Sequence, residues 1–563
     1  MQKYFVVSLV LCATVLCFGG EWISLTDTCT NCAERSMVNS KGDLTIDFKT
    51  PGYNVDTVNI NGKDYASINL DETSTSLEKG APELRSISAF VAVPGCRSVA
   101  IEVRNALMVE RGTNPIIPSK GNLTRDVNPA EIPYEFGPAY QKAGWYPENG
   151  KLVSVSEPFK MRDIWGVRVT VTPFQYNHKE KKLRIYTEIQ VALKPVGVSK
   201  ALDRSPACQS DDFETLYSRL FLNYQKRSVT PPAVAKKLLI ITHDDFVAPA
   251  NLLKDWKTQQ GYAAEVVKVS AIGTTADSIK TYLQQRFDAG NLCFVTLIGD
   301  SQHIPTLKGK NENADSDPCY VKLAGNDNVP DAFICRISGE NLSQIEYMIQ
   351  RSINFEQNPS QGADGAWYKQ ALGIASAQGD PTDFARIDEL NAALKADLGF
   401  TKISTCYDTS YYGGADKKVI FDACKDGVSL INYCGHGSVT SWGTSGFSVS
   451  DCAKLENNMK LPVVWSVACV NGQVVGKTWF AEAWLRAGSK DKPAGCLTFA
   501  GASTNMAWVP PCVWIKEIIT EQTCKKKNDI ILVQHKYGIL KTMEEYGVED
   551  KKEGNQLFEQ THI

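Results

Sequence analysis

Two short stretches bring together the residue types that peptide-bond chemistry needs. "INYCGHGSVTSWG" (residues 431–443) sets His436 between Gly435 and Gly437, directly after an apolar run. "LPVVWSVACVNG" (residues 461–472) carries a second apolar run into Cys469. A cysteine attacks as its thiolate, and a free thiol of pKa about 8.5 is mostly protonated at neutral pH. A neighbouring imidazole can take that proton and return it to a leaving amine. Gly435 and Gly437 allow a sharp turn and the close approach of a substrate, and the backbone amides of Gly437 and Cys469 suit an oxyanion hole. Read singly, a histidine between glycines fits a turn, and a cysteine ending an apolar strand fits a packed core or a disulfide. Read together, they fit a base and its nucleophile. Their separation of 33 positions leaves room for one strand-to-strand crossover. That spacing puts both at the carboxyl ends of neighbouring strands, where open α/β sheets carry chemistry.

The elements that must hold them follow from the pattern around them. From residue 237 onward, apolar runs such as "KLLIIT", "LCFVTLIGD", "ALGIASAQGD" and "GCLTFAGAS" alternate with helical stretches such as "ADSIKTYLQQRFDAG" and "FARIDELNAALKADLG". This predicts an α/β unit with a mainly parallel sheet covered by helices on both faces. Residues 21–195 instead alternate with period two. Val167, Val169 and Val171 interleave with Arg168, Thr170 and Thr172, and a polar "NHKEKK" turn separates them from a second such run at Leu183, Ile185, Ile189, Val191 and Leu193. Long helical periodicity is missing there, so an all-β, sandwich-like domain is expected. Between the two, "NYQKRSVTPPAVAKK" (residues 223–237) is dibasic and proline-stiffened. It reads as an exposed linker open to proteolysis after Arg227, or as a plain tether.

Composition narrows the class. The chain has 563 residues, 43% hydrophobic and 22% charged, with net charge −3. Several domains are expected, and no basic bias points to nucleic acid. Lys3, an apolar stretch over residues 4–18 and Gly19-Gly20 predict a secretory signal over residues 1–20. No later run approaches the ~20 apolar residues of a membrane helix, so a secreted soluble protein of an extracellular or vacuole- or lysosome-like compartment is expected. Of 17 cysteines, fifteen lie beyond the signal, an odd number. In an oxidising compartment most should pair, with at least one thiol left over, and Cys29-Thr-Asn-Cys32 reads as a small disulfide loop. Asn122 and Asn341 are glycan acceptors by motif. The loops "NENADSDP" (residues 311–318) and "GNDNVPD" (residues 325–331) suit structural Ca2+ or plain solvation. His243 and His303 lack a cysteine–glycine partner and read as structural, and Ser438 lacks a nucleophile-elbow motif.

The motifs "GVSLINYCGHGSVTSWGTSGF" and "VVWSVACVNG" resemble the histidine and cysteine motifs of the gingipain-type cysteine endopeptidases, relatives of caspases and legumains. "ALGIASAQGDP", "PDAFICRIS", "FAEAWLRAG" and "ASTNMAWVPP" resemble gingipain segments in the same order, and "PFQYNHKEKKLRIYTEI" is similar to part of the gingipain propeptide. The resemblance implies an inhibitory propeptide over residues 21–227, a linker over 228–236, and a caspase-like catalytic unit over 237–563 in two subdomains meeting near 365. It implies Cys469 as nucleophile and His436 as proton shuttle. It also implies an orienting carboxylate after "ASA", where Asp380 is the candidate, or else a turn residue before Pro381. Gln378 stands where some members carry Glu. For the pocket of a basic P1 residue, the resemblance implies an aromatic wall at Trp508 and an acidic floor, for which Asp383 and Asp388 are candidates and Gln378 a neighbour. Substrates would be proteins or peptides, the chain's own propeptide the inhibitor, and Arg227 the self-processing site. No cofactor is needed for that chemistry, and Arg and Lys both stay open at P1. The family's usual further strand and immunoglobulin-like domain do not follow "QLFEQTHI". Two other readings keep the scaffold: an inactive protease-like adhesion protein, and a transpeptidase using the same dyad.

Overall fold

The computed structural model describes residues 20–26, 31–38, 44–202, 210–227, 236–408, 414–526 and 530–563. The expected signal segment up to residue 19, Cys29 and linker residues 228–235 lie outside the described residues.

The N-terminal unit is built from antiparallel sheets. Its period-two strand is Ile164–Val171, which pairs with Arg85–Ala92; Val167, Val169 and Val171 are fully buried. The second run lies in the long strand Lys182–Val196, paired along its length with Ser98–Gly112 and kinked by register shifts near Tyr186 and Gln190. One element departs from the all-β expectation. Asp211–Leu220 is a helix, because Phe213, Leu216, Tyr217 and Leu220 recur at one-face spacing. These residues join Phe90 and Phe159 in the core of the C-terminal unit, with Phe213 4.8 Å from Phe333 between ring centroids. A ten-residue helix carries too few turns to stand out against the surrounding strands.

The C-terminal unit holds two parallel sheets rather than one continuous sheet. The first runs in the order Tyr262–Lys268, Lys236–Thr242, Phe294–Ile298, Phe333–Ile337. The second runs Lys402–Asp408, Gln370–Ser376, Leu430–Cys434, Val463–Val467, Thr498–Ala502, and closes with the short antiparallel strand Thr561–His562. The central strands are buried along almost their whole length, as their unbroken apolar sequence requires.

The expected disulfides are not found: the thirteen described cysteines form none, and all but Cys32 and Cys335 are buried. A large core lets a thiol serve as a small hydrophobe without cross-linking. Among the described residues no helix is long and apolar enough to cross a membrane.

Candidate active site

The strands Leu430–Cys434 and Val463–Val467 are parallel neighbours, with Cys434 opposite Val467. His436 and Cys469 each lie two residues beyond that pair, so they emerge side by side at the carboxyl rim. The loops touch closely: a Cβ on Gly437 would stand 2.4 Å from the Cys469 carbonyl oxygen and 2.8 Å from the Ala468 Cβ. Only glycine fits there. The hydroxyl of Tyr433 donates to the His436 carbonyl, fixing the histidine turn. Val470 turns the chain after the cysteine with φ of 49°, a left-handed conformation rare for a β-branched residue.

Asn471, fully buried, ties the two loops together. Its amide donates to the carbonyls of Ser438 (2.6 Å) and Ser441 (3.1 Å), and its oxygen accepts from Ser466 Oγ (3.1 Å). The sequence reading quoted this asparagine within its motif without assigning it a task. A polar residue two positions after the cysteine that follows an apolar strand was the available signal.

The imidazole of His436 meets Gln378, with Nε2 2.8 Å from Oε1. A carbonyl oxygen only accepts, so Nε2 carries the proton in this pairing. Asp380, expected to orient the ring, is coupled electrostatically to Glu83, Lys120 and Tyr134 of the N-terminal unit. It follows Gly379, whose φ of 91° turns the chain directly after Gln378. Burial lowers the basicity of His436. Burial likewise pushes the Cys469 thiol up to about 11, and the thiol donates to the Met506 carbonyl at a long 3.9 Å. As folded here, thiol and imidazole are both neutral.

The N-terminal unit supplies the residue that fills the adjoining pocket. Arg125 lies on an extended segment paired with residues 506–508: its amide donates to Met506 O (2.7 Å), the Trp508 amide donates to Leu123 O (2.9 Å), and Thr124 bridges Ala507 antiparallel. The Arg125 backbone also lies within hydrogen-bonding reach of both His436 and Cys469. Its guanidinium Nη1 donates to both oxygens of Asp383 (3.0 and 2.9 Å), and Nη2 donates to Trp508 O (2.9 Å) and Cys512 Sγ (3.2 Å). Trp508 forms a wall of this pocket: its ring lies 4.4 Å from the guanidinium carbon and edge-on to His436 at 5.7 Å. Asp383 opens the helix Asp383–Leu398 behind the N-cap Thr382, and Ser376 Oγ holds it from below at 2.6 Å. Asp388, the other acidic candidate, lies further along that helix and accepts from Tyr407 OH (2.6 Å) away from the pocket. Sequence reasoning missed Arg125, because a single arginine in the loop "NLTRDVNP" carries no motif.

The remaining expectations are placed as follows. In the oxygen-rich loops, Asp317 pairs with Arg336 (2.6 Å), and Asp331 accepts from the backbone amides of Leu323 and Ala324 (2.6 and 2.7 Å). Among the described residues no group of three or more His, Cys, Asp or Glu side chains could hold a metal ion. His303 bonds Asp300 (2.8 Å) and packs on His243, which caps a short helical turn. Ser438 shares hydrogen bonds with Thr440 and Ser441. The side chain of Asn341 accepts from Gln344 N as a helix N-cap. Arg227 is held by Glu214 (Nε···Oε1 2.7 Å) and by Asp163, both in the N-terminal unit.

Residues 232–556 match the sequence model of peptidase family C25, and residues 32–228 match the model of that family's propeptide. The chain belongs to peptidase family C25. It is 34% identical to gingipain R2 of Porphyromonas gingivalis over 479 residues, covering 83% of this chain and 62% of that protein. It is 23% identical to Lys-gingipain HG66 of the same organism over 512 residues, covering 86% of this chain and 28% of that protein. The crystal structure of the Arg-specific cysteine proteinase gingipain R superposes with a TM-score of 0.53 at 32% identity, over 58% of this chain and 76% of that one. The chain thus spans less than two thirds of the length of the curated relatives it matches, with 62% for gingipain R2 and 28% for Lys-gingipain. The α/β, caspase-like fold behind a propeptide domain agrees with the sequence expectation.

Proposed function

We propose that this C25 chain is the secreted zymogen of a cysteine endopeptidase that cleaves proteins after arginine, and that Arg125 holds it latent. One observation carries the reading: an arginine of the propeptide region sits on Asp383 with its backbone against Cys469 and His436. A substrate would take that place, paired to residues 506–508 as an added strand. His436 takes the Cys469 proton, the thiolate attacks the carbonyl after the arginine, and the amides of Gly437 and Cys469 receive the developing oxyanion. The imidazolium then protonates the leaving amine, and water releases the acyl group. Gln378 keeps the ring in the tautomer that can accept.

Arginine is favoured over lysine because the guanidinium's two terminal nitrogens have separate acceptors, Asp383 for one, Trp508 O and Cys512 Sγ for the other. A lysine offers one ammonium and cannot serve both sets. Maturation is proposed after Arg227. Its guanidinium must first leave Glu214 and Asp163 while Arg125 already fills the chain's own pocket, which favours cleavage by a second molecule. The apolar segment at residues 4–18 supports export. The test is turnover of peptides varied at P1 by the processed protein. Cys469→Ala should lose roughly 10³-fold or more. Retained turnover in that variant, or equal rates for arginine and lysine, would overturn the reading.

A further inference from the structure

Two thiols meet at the floor of the arginine pocket, and the peptidase chemistry uses neither. Cys434 ends the strand Leu430–Cys434, and Cys512 lies in the helix Pro510–Lys516. Cys434 Sγ donates to Asp383 Oδ1 (3.2 Å), while Cys512 Sγ accepts from Arg125 Nη2 (3.2 Å) and donates to Trp508 O (3.3 Å). The two sulfurs share one hydrogen-bonded cluster, bridged by the Asp383–Arg125 pair. Both are buried, and Arg125, itself 0% exposed, lies over them.

We propose that Cys434 and Cys512 are a redox-active dithiol that closes to a disulfide once Arg125 has left, and that closure shuts the pocket to arginine side chains. This rests on the reading of that pocket as the P1 site. The two thiols are chemically unequal. In the plugged chain Cys512 accepts from a guanidinium, and once Arg125 has left Arg386 remains nearby to hold its thiol down, so Cys512 is the attacking thiolate. Burial pushes the Cys434 thiol well up, so it is the resolving partner.

With a low-molecular-weight disulfide as oxidant, Cys512 attacks one of its sulfurs, breaking that S–S bond and expelling one thiolate. Cys434 then gives up its proton to that thiolate and attacks Cys512 Sγ, forming the protein disulfide and expelling the second thiolate, which takes a proton from solvent. Two protein thiols are oxidised, and one small disulfide is reduced to two thiols. Bonding at about 2.05 Å draws Cys512 away from the guanidinium site and removes the hydrogen bond from Cys434 to Asp383. The zymogen is protected because its plug covers both sulfurs.

The experiment uses the full chain as Cys469→Ala, which removes the nucleophile, with and without Arg125→Gln, which shortens the plug. Each form is incubated with oxidised glutathione and mapped by non-reducing peptide mass spectrometry. Benzamidine, as a probe of the arginine site, is titrated calorimetrically before and after. The expected result is a Cys434–Cys512 linkage in the Arg125→Gln form only, at least tenfold weaker benzamidine binding after oxidation, and recovery with dithiothreitol. Should Arg125→Gln misfold by circular dichroism, Arg125→Lys takes its place. A glutathione adduct on Cys512 without ring closure, equal linkage in the plugged chain, or linkage with unchanged benzamidine binding would each overturn the proposal. None of these measurements needs turnover, so failure here is distinct from failure of the peptidase reading, which the P1 panel decides.

Discussion

Arg125 and Asp383, 258 residues apart in the chain, meet as a fully buried ion pair in which one guanidinium nitrogen donates to both carboxylate oxygens. Neither charge has water to fall back on, so each depends on the other. Removing one partner of such a pair costs about 3–5 kcal/mol, because the survivor is left buried and unmatched. The propeptide region therefore holds the pocket by the same interaction that the proposed substrate would use.

Arg125→Ala should end latency. The side chain that anchors this segment over Cys469 and His436 would be gone, and release of the segment would relieve the burial that pushes the Cys469 thiol up. Iodoacetamide should label Cys469 in the unprocessed variant at least about tenfold faster than in the unaltered chain. Equal labelling rates would show that Arg125 does not gate the site.

Asp383→Asn should cost both partners of the pocket. The processed variant should lose about 10²–10³-fold in kcat/KM for arginine substrates, the equivalent of about 3–4 kcal/mol. Lysine substrates should lose less, and the unprocessed variant should bind its propeptide more weakly. P1 profiling of variant and parent checks this directly.

Gln378→Glu changes charge without changing reach. In the unaltered chain, burial lowers the pKa of His436, and its 2.8 Å partner is neutral. A carboxylate there favours the imidazolium and raises that pKa. The general base must be unprotonated to take the thiol proton, so the acid limb of the kcat/KM profile should move to higher pH by about one unit. A limb that stays put would mean that residue 378 only positions the ring.

Asn471→Ala should loosen the seam between the histidine and cysteine loops. Two half-buried carbonyls and one buried hydroxyl lose their partner, costing about 2–3 kcal/mol in thermal unfolding. The effect on turnover should fall on kcat rather than KM, since the arginine pocket is built from other residues. A rise in KM alone would contradict that division.

The placement of His436 and Cys469 was legible, because both follow unbroken apolar strands whose pairing puts them at one rim. The parallel order was equally readable from "VSLINYC" and "LPVVWSVAC". The partner of His436 was harder. A turn with Asp380 two residues past Gln378 gives no local sign of which side chain faces the ring. Arg125 was illegible, since its role exists only through contact with residues hundreds of positions away. The thiols misled, because their number suggested cross-links while the large core used them as packing.

The segment leading into Arg125 exchanges main-chain hydrogen bonds with Met506 and Trp508 through the Arg125 amide and the Leu123 carbonyl. Any polypeptide entering in its place must offer an open, extended backbone there, which an arginine within a helix or a paired strand cannot do. Vulnerability of a folded target would then follow how readily its surface frays, and a compact domain rich in arginine could pass untouched until a loop gives way.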